Sequence, residues 1–231
     1  LDLAKAGRNE SSVVFPMVLY VQGHALEGLD KPAKALDSFQ SSLSHVLKFH
    51  PDLNADIANI YVNIGGVYEW LESLPQARDS YDKALNHLNN LKETGDTPLQ
   101  VGAGITMAEI YYNLGLMLSD GFPERIDQAL FCAEKAVVLY KEEQTGDDDD
   151  IADCYDLLSA IYDTLGQQKN ELHYAEKCLY IRQETHSKND IELADTYRNI
   201  AIIYAYVGSR DKAIKCFRKA IAIHEKKGTI V

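Results

Sequence analysis

A few short stretches of the chain have residue types and spacings that catalysis or metal binding would use. VGAGIT at 101–106 has two glycines, as in a phosphate-binding loop, but it lacks the third glycine and the preceding strand of such loops. His45 and His50 are five residues apart, so they do not share a helix face, and no His-Glu-x-x-His occurs. Four aspartates at 147–150 precede an apolar-periodic run, where each stabilises a helix start by about 0.3–1 kcal/mol. We therefore predict no enzyme activity, no catalytic residue, no metal site and no cofactor.

The cysteines do not form a redox or metal motif either. They lie 22, 24 and 38 residues apart without a Cys-x-x-Cys pair, at Cys132, Cys154, Cys178 and Cys216. Three of them occupy packing positions of the repeat described below. This spacing predicts reduced thiols in a cytoplasmic protein.

The charge of the chain limits its partners. The 231 residues include 23 Lys and Arg against 35 Asp and Glu, which gives a net charge of −12. Nucleic acid and anionic membranes require a basic surface, so we predict neither as a partner. No run approaches eighteen apolar residues, and the first twelve residues lack the apolar core of a signal peptide, so no membrane insertion is predicted. A basic protein or peptide is the expected partner.

A pattern of ring, aliphatic and small residues recurs five times. The copies are LYVQGHAL from Leu19, YVNIGGVY from Tyr61, YYNLGLML from Tyr111, YDLLSAIY from Tyr155 and YRNIAIIY from Tyr197. Offsets of three and four residues place these side chains on one side of an α-helix. A second pattern follows each copy, with small, bulky and small residues at Ala35/Phe39/Ser42, Ala77/Tyr81/Ala84, Ala129/Ala133/Ala136, Glu171/Ala175/Cys178 and Ala213/Phe217/Ala220.

Turn-forming residues separate the two patterns of each copy, so the sequence predicts ten helices in five pairs and no strand. In the third copy, SDGFPE lengthens the turn by two residues. We predict one array over 1–231, with repeats at about 12–50, 53–94, 99–145, 148–187 and 190–228. Because the chain starts at Leu1 and not at Met, we expect it to be part of a longer protein, with 1–11 as the remnant of a preceding helix or cap.

The paired patterns resemble the tetratricopeptide repeat, which has ring-x2-Leu-Gly-x2-Tyr followed by Ala-x3-Phe. The long period of about 42 residues, and the run EKCLYIRQETHSKNDIELADTYRNIAIIYAYVGSRDKAIKCFRKAIAIHEKK, resemble the kinesin light chain. The resemblance implies an all-α fold, an α-solenoid that forms a right-handed superhelix of about five antiparallel helix-turn-helix units. It also implies that the first helix of each pair lines a concave groove.

We call the first residue of each copy of the first pattern its signature residue. The outward face of a first helix consists of the residue two positions before the signature residue and the residues one, five and eight positions after it. This face contains seven acids, among them Asp163, and one arginine. We predict apolar contacts to a peptide from Tyr20 and Tyr112, with His24 and Arg198 on the same face. Attraction for Lys or Arg is predicted from the acids Glu27, Glu69, Glu109, Asp153, Asp156 and Asp195. The alternative is that these acids are a solvated surface.

Three asparagines, Asn63, Asn113 and Asn199, follow the signature rings by two positions. An amide both donates and accepts, so such a ladder can hold the main chain of an extended peptide whatever its side chains. In the families that this chain resembles, this asparagine clamps the ligand backbone. The alternative is that these amides only bond between neighbouring helices.

Together these features predict a non-catalytic scaffold that binds a basic peptide or a basic segment of a partner protein in the concave groove. The kinesin resemblance makes this a cargo adaptor. The alternative is a regulator that senses a short peptide and controls an effector domain outside this sequence. A chaperone cofactor that grips a carboxylate terminus is less favoured, because Tyr20 and His24 occupy positions where such proteins need Lys and Asn.

Overall fold

The computed structural model describes residues 12–94, 103–121, 123–143, 148–187 and 190–228. Within these ranges the chain is all-α and of the α-solenoid type, with ten α-helices, one short 3-10 turn and no strand, which confirms the predicted fold class. The helices are α1 Val14–Glu27, α2 Pro32–Phe49, α3 Asn54–Trp70, α4 Leu74–Thr94, α5 Ala103–Gly121, α6 Ile126–Glu143, α7 Asp148–Thr164, α8 Gln168–Thr185, α9 Ile191–Tyr206 and α10 Arg210–Lys227.

The helices group into two compact units, Leu1–Ile110 and Tyr111–Val231, and the boundary falls within α5. In the first unit, α1 packs on α2, α2 on α3 and α3 on α4. In the second unit, α6 packs on α7, α7 on α8, α8 on α9 and α9 on α10. Helices α2 and α8 therefore each contact both the first helix of their own pair and the first helix of the following repeat.

A left-handed residue reverses the chain within four of the pairs. Asp30, Glu72, Gly166 and Gly208 hold equivalent turn positions, with φ of 57°, 55°, 66° and 77°. After each of them a backbone N–H donates to the carbonyl five residues earlier, as from Ser73 to Tyr68 at 2.8 Å. This bond closes the end of the first helix and returns the second helix along it. Two repeats use glycine at this position, and the other two place a side chain in a backbone conformation that L-residues disfavour.

Small residues allow the paired helices to touch, as the repeat pattern predicts. A Cβ added to Gly23 would lie 2.4 Å from Phe39, and one added to Gly65 would lie 2.6 Å from the ring of Tyr81. Both rings are fully buried. In the third repeat, a Cβ on Gly115 would lie 3.4 Å from backbone atoms of α6. In the first and second repeats, the contact of a glycine with a buried ring thus sets the distance between the helices of the pair.

The segments that resemble reactive motifs have structural roles. All four cysteines are free and buried, and burial raises the thiol pKa of Cys154 and Cys178 to about 12. Three of the four consecutive aspartates form the first turn of α7, as predicted, and Asp147 lies outside the described residues. In the VGAGIT segment α5 begins at Ala103, and residues 101–102 also lie outside the described ranges. The two extra residues of the third repeat fall near a 3-10 turn at Pro123–Arg125.

None of the helices in the described part of the chain is long and apolar enough to cross a membrane. The same part of the chain contains no group of three or more His, Cys, Asp or Glu side chains arranged to hold a metal ion.

Candidate functional site

The acids of α7 have a basic neighbour on α8. Arg182 extends from α8 and pairs with Asp153, and it also donates to Thr196 Oγ1 of α9 at 2.8 Å. Burial raises the pKa of the Asp156 carboxyl, and this effect outweighs the nearby charge of Arg182, which lowers it. The charge of Asp153 is therefore compensated within the protein, and Asp156 retains an unfavourably buried charge.

A groove opens between α7 and α9, with α8 at its base. We call it the α7–α9 groove, and its walls include Asp156, Ser159, Ala160, Asp163, Glu171, Ala175, Thr196, Asn199, Ile200, Ile202 and Ile203. Three of these residues are carboxylic acids, and none is Lys, Arg or His. Apolar side chains of α9 form one wall, which an extended peptide could contact.

Glu171 is the most unusual residue of this groove. It occupies the small-residue position that Ala35, Ala77, Ala129 and Ala213 hold in the other repeats, and it is 8% exposed. Burial raises the pKa of its carboxyl, and the nearby charge of Asp163 raises it further. The adjacent Ser159 hydroxyl donates to the backbone carbonyl of Glu171 at 3.1 Å. A cation placed in the groove would relieve both effects on Glu171.

Polar groups of α9 border the groove. Asn199 lines it, and no side-chain hydrogen bond joins Asn199 to another residue in the described part of the chain. Arg198, which precedes Asn199, forms an ion pair with Asp195 one turn earlier. Nη2 and Oδ1 lie 3.2 Å apart, and both side chains are about half exposed. A basic ligand would compete with Arg198 for Asp195.

In the first unit, most of the predicted site residues bond to one another. The amide nitrogen of Asn63 donates to the Tyr20 hydroxyl at 2.8 Å and to the Asn59 carbonyl at 2.9 Å. An asparagine amide has two N–H groups, so Asn63 has only its carbonyl oxygen left to offer a ligand. His24 Nδ1 lies 3.0 Å from a Glu27 carboxylate oxygen. This geometry matches the inter-helix role that was the alternative for Asn63.

The remaining predicted residues lie on α3 and α5. Glu69 accepts a hydrogen bond from the hydroxyl of the buried Tyr81 at 3.0 Å, and burial raises the Glu69 pKa. Glu109 is exposed, whereas Tyr112 and Asn113 are half-buried. Burial raises the pKa of Tyr112 to about 12, with a smaller contribution from Asp153. Of the thirteen predicted residues, only Asp156 and Asn199 line the α7–α9 groove.

The residues that the sequence analysis missed, Glu171 and Arg182, are both departures from the repeat pattern. The position of Arg182 is Val46 in α2, Leu88 in α4 and Tyr140 in α6, and all three are buried. The available signal was a charged residue at a position that is Ala in the other four repeats, for Glu171, or apolar in the first three repeats, for Arg182. Glu171 and Arg182 both lie on a second helix, whereas the predicted site residues all lie on first helices.

Comparison with known families supports the repeat assignment. A family model described as tetratricopeptide repeat matches residues 172–226, and a second model with the same description matches residues 151–192. Residues 151–226 therefore match the tetratricopeptide repeat. No curated protein matches the chain significantly in sequence.

Solved structures share the fold of these tetratricopeptide repeats at low sequence identity. BtubC (BKLC) from P. vanneervenii aligns with a TM-score of 0.74 and 19% identity, over 92% of this chain and 81% of BtubC. The TPR-like repeats of a putative kinesin light chain from Podosopora anserina align with a TM-score of 0.67 and 13% identity, over 97% of this chain and 100% of theirs. A Rap protein complexed with competence and sporulation factor aligns with a TM-score of 0.59 and 17% identity, over 90% of this chain and 53% of that protein. These similarities show the fold of the chain.

Proposed function

We propose that the chain is a non-catalytic scaffold that binds an extended basic segment of a partner protein in the α7–α9 groove. The observation that carries this proposal is the composition of the groove, which has three carboxylic acids and no basic side chain. A Lys or Arg of the ligand would lie near Asp163 and Glu171, and the wall at Ile202 and Ile203 would contact its apolar parts.

The raised pKa values of Asp156 and Glu171 support a ligand that brings positive charge. Burial makes the ionised form of each carboxyl unfavourable in the free protein. A bound cation would stabilise that form, so binding should be coupled to loss of a proton wherever these groups are still protonated. Affinity for a basic peptide should therefore fall as the pH is lowered through the raised pKa values, and it should fall as salt is added, because screening acts over about 8 Å at physiological ionic strength.

Asn199 would supply the backbone contact. Its amide lies in the groove without a hydrogen-bond partner in the described part of the chain. A clamp on the ligand main chain does not distinguish side chains, so Asn199→Ala should weaken basic and neutral peptides by the same factor.

Titration by fluorescence anisotropy tests the proposal. The probes are a labelled peptide with alternating Arg and Ser, its Gln counterpart and its Glu counterpart. Glu171→Gln and Asp163→Asn should each weaken the Arg peptide about fivefold and leave the Gln peptide unchanged, since one charge interaction of this kind contributes roughly 1 kcal/mol. Asp127→Asn, an exposed acid of α6 outside the groove, is the matched charge control and should have no effect.

Two results would reject the groove as a basic-peptide site. One is equal affinity for the Arg and Glu peptides. The other is an Arg-peptide affinity that the Asp163 and Glu171 variants leave unchanged. Asp153 is a poor choice for this test, because its replacement would also leave Arg182 without its partner.

A cargo adaptor is the form of this function that the fold similarity to the kinesin light chain repeats favours. The fold similarity to a Rap protein complexed with competence and sporulation factor favours a second form, a regulator that senses a short peptide. The two differ in their consequence. A regulator should change the activity of a linked effector domain when peptide is added, whereas an adaptor should only join its partner to another protein.

A further inference from the structure

Helix α10 has a strongly basic face, although the chain as a whole has a net charge of −12. Lys212, Lys215, Arg218 and Lys219 are all exposed, and spacings of three and four residues place them on one side of the helix. Asp211 borders this face at its amino-terminal end, and no acid lies between Lys212 and Lys219. We call the four basic residues the α10 basic face.

The exposure of the α10 basic face does not depend on where the sequence ends. The equivalent residues of the other second helices are also exposed, except for one half-buried lysine, although a further repeat follows each of those helices. These positions therefore face solvent throughout the array. In chain order the equivalent residues are Lys34, Asp37, Gln40 and Ser41 of α2, Gln76, Asp79, Asp82 and Lys83 of α4, Gln128, Phe131, Glu134 and Lys135 of α6, and Asn170, His173, Glu176 and Lys177 of α8.

Only α10 is basic at all four positions. The same positions carry a net charge of −1 on α4 and no net charge on α2, α6 and α8 when His173 is neutral. Arg218 stands where α4, α6 and α8 each have an acid, and Lys215 stands where α2 and α4 have one. Like charges three or four residues apart destabilise a helix, so α10 carries an unfavourable charge arrangement that the other repeats avoid.

Contacts within the fold account for two of the four residues. Lys219 donates to the Tyr197 hydroxyl at 3.0 Å, and Lys212 Nζ lies 4.9 Å from the centre of the Tyr204 ring. Lys215 and Arg218 form no hydrogen bond or ion pair with any residue of the described ranges. The packing of α10 on α9 therefore explains Lys212 and Lys219 but not Lys215 and Arg218.

A shallow depression lies between these charges. Lys215, Arg218, Lys219 and Ala222 contribute to its walls. The position of Ala222 is occupied by larger residues elsewhere, Val138 in α6 and Tyr180 in α8. The small alanine side chain leaves room for a carboxylate between Lys215 and Arg218.

We propose that the α10 basic face binds an acidic segment of a partner protein. The planar guanidinium of Arg218 can pair with a carboxylate through two N–H groups, and Lys215 adds a second positive charge one turn away. An acidic ligand would also relieve the repulsion among the four basic residues. This surface is separate from the α7–α9 groove, because α10 contributes no residue to the groove walls.

The charge of the rest of the chain favours a short acidic segment over a larger polyanion. Nucleic acid or an anionic membrane would extend beyond the α10 basic face and meet the acids that give the chain its net charge of −12. Membrane binding by a basic helix also uses bulky apolar residues that insert between lipids, whereas Ala222 lies among these charges. A short segment interacts mainly with the local charges, because screening acts over about 8 Å at physiological ionic strength.

Fluorescence anisotropy with the 231-residue chain tests the proposal. The probes are a labelled helical peptide with Glu at spacings of three and four residues and its Gln counterpart. The wild type should bind the Glu peptide more tightly than the Gln peptide, and added salt should weaken this binding. Lys215→Gln and Arg218→Gln should each weaken the Glu peptide about threefold, and the double variant should weaken it about tenfold.

Two further variants control for charge and geometry. Lys34→Gln removes an exposed lysine from the position of Lys212 on α2, and it should have no effect. Arg218→Lys keeps the charge but loses the paired N–H groups, so its effect should be smaller than that of Arg218→Gln. Circular dichroism checks that every variant remains helical.

The Arg peptide described above separates this surface from the α7–α9 groove. The Lys215→Gln/Arg218→Gln variant should bind the Arg peptide like the wild type, and Glu171→Gln should bind the helical Glu peptide like the wild type. In the double variant, the Arg peptide and its Glu counterpart report on the groove alone. Failure of one proposal can therefore be told from failure of the other.

Four results would overturn the proposal. The first is equal affinity of the wild type for the helical Glu and Gln peptides, and the second is a Glu-peptide affinity that the double variant leaves unchanged. The third is a loss in Lys34→Gln as large as that in Arg218→Gln. The fourth is binding to vesicles that contain phosphatidylserine which is tighter than binding to the Glu peptide and is lost in the double variant, because this would identify a membrane as the partner.

Discussion

Replacing Gly65 with alanine should destabilise the second repeat, whereas the same replacement at Gly66 should stabilise it. A Cβ at Gly65 would lie 2.6–2.9 Å from three ring atoms of Tyr81, a distance that requires the ring or the helix to move. A Cβ at Gly66 would only reach the Tyr81 hydroxyl at 4.0 Å, which is ordinary contact. Both glycines lie within α3, so both replacements gain the same helix propensity.

The two variants together separate packing from propensity. Overpacking of a buried site costs about 1–3 kcal/mol, and alanine is favoured over glycine inside a helix by about 1 kcal/mol. Gly66→Ala should therefore raise the free energy of unfolding by about 1 kcal/mol. Gly65→Ala should change it by about 0 to −2 kcal/mol, and the difference between the two variants, about 1–3 kcal/mol, is the cost of the contact with Tyr81.

Urea denaturation followed by far-ultraviolet circular dichroism gives the midpoint and the slope for each variant. A second measurement repeats Gly65→Ala in a Tyr81→Leu background, where the smaller side chain leaves room for the new methyl group. The double-mutant cycle should then show a coupling of about 1–3 kcal/mol. Equal midpoints for the Gly65 and Gly66 variants, or a coupling near zero, would refute the view that this glycine sets the distance between α3 and α4.

Two further predictions concern the ends of the helices. His186 Nε2 lies 2.9 Å from Asp149 and Nδ1 lies 3.3 Å from Asp190, and although burial opposes it, these carboxylates raise the pKa of His186. The protonated side chain of His186 stabilises the fold below the unfolded pKa of about 6.5, and this contribution is lost as the pH rises through the higher pKa of the folded state. Between about pH 6 and 8 the wild-type Tm should therefore fall more than the Tm of His186→Gln. Parallel curves of Tm against pH would contradict this prediction. Glu72 has φ of 55°, so Glu72→Gly should relieve roughly 1 kcal/mol of backbone strain and raise the Tm. Gly208→Ala at the equivalent turn should lower the Tm. A lower Tm for Glu72→Gly would contradict the presence of strain at this position.

The sequence predicted the helix pairs because their contacts are local. The ring of Tyr81 meets Gly65 only sixteen residues earlier, and one turn of fixed geometry brings them together. The same spacing predicted the contact between Gly23 and Phe39. Residue type and spacing are sufficient where a single turn fixes the geometry.

The candidate site was less predictable because its charges depend on contacts that a single turn of fixed geometry does not set. Asp153 and Arg182 are 29 residues apart, and their pairing depends on how α8 lies between α7 and α9 and on the reach of a long side chain. Asn63 illustrates the same limit, because its partner Tyr20 belongs to the preceding repeat. The spacing of residues within one helix predicts the face on which a side chain lies. It does not predict which residue of a neighbouring helix contacts that side chain.

The guanidinium of Arg182 also has a mechanical consequence. It ties α7 through Asp153 and α9 through Thr196 to its own helix, so one side chain spans the boundary between the fourth and fifth repeats. Tandem repeats under tension usually unfold one after another, since each repeat contacts only its neighbours. The contacts of Arg182 across the repeat boundary oppose this sequential unfolding, and we expect the last two repeats to unfold together when force is applied to the carboxyl end. In an optical trap this would be recorded as one long extension step, and Arg182→Met should divide it into two shorter ones.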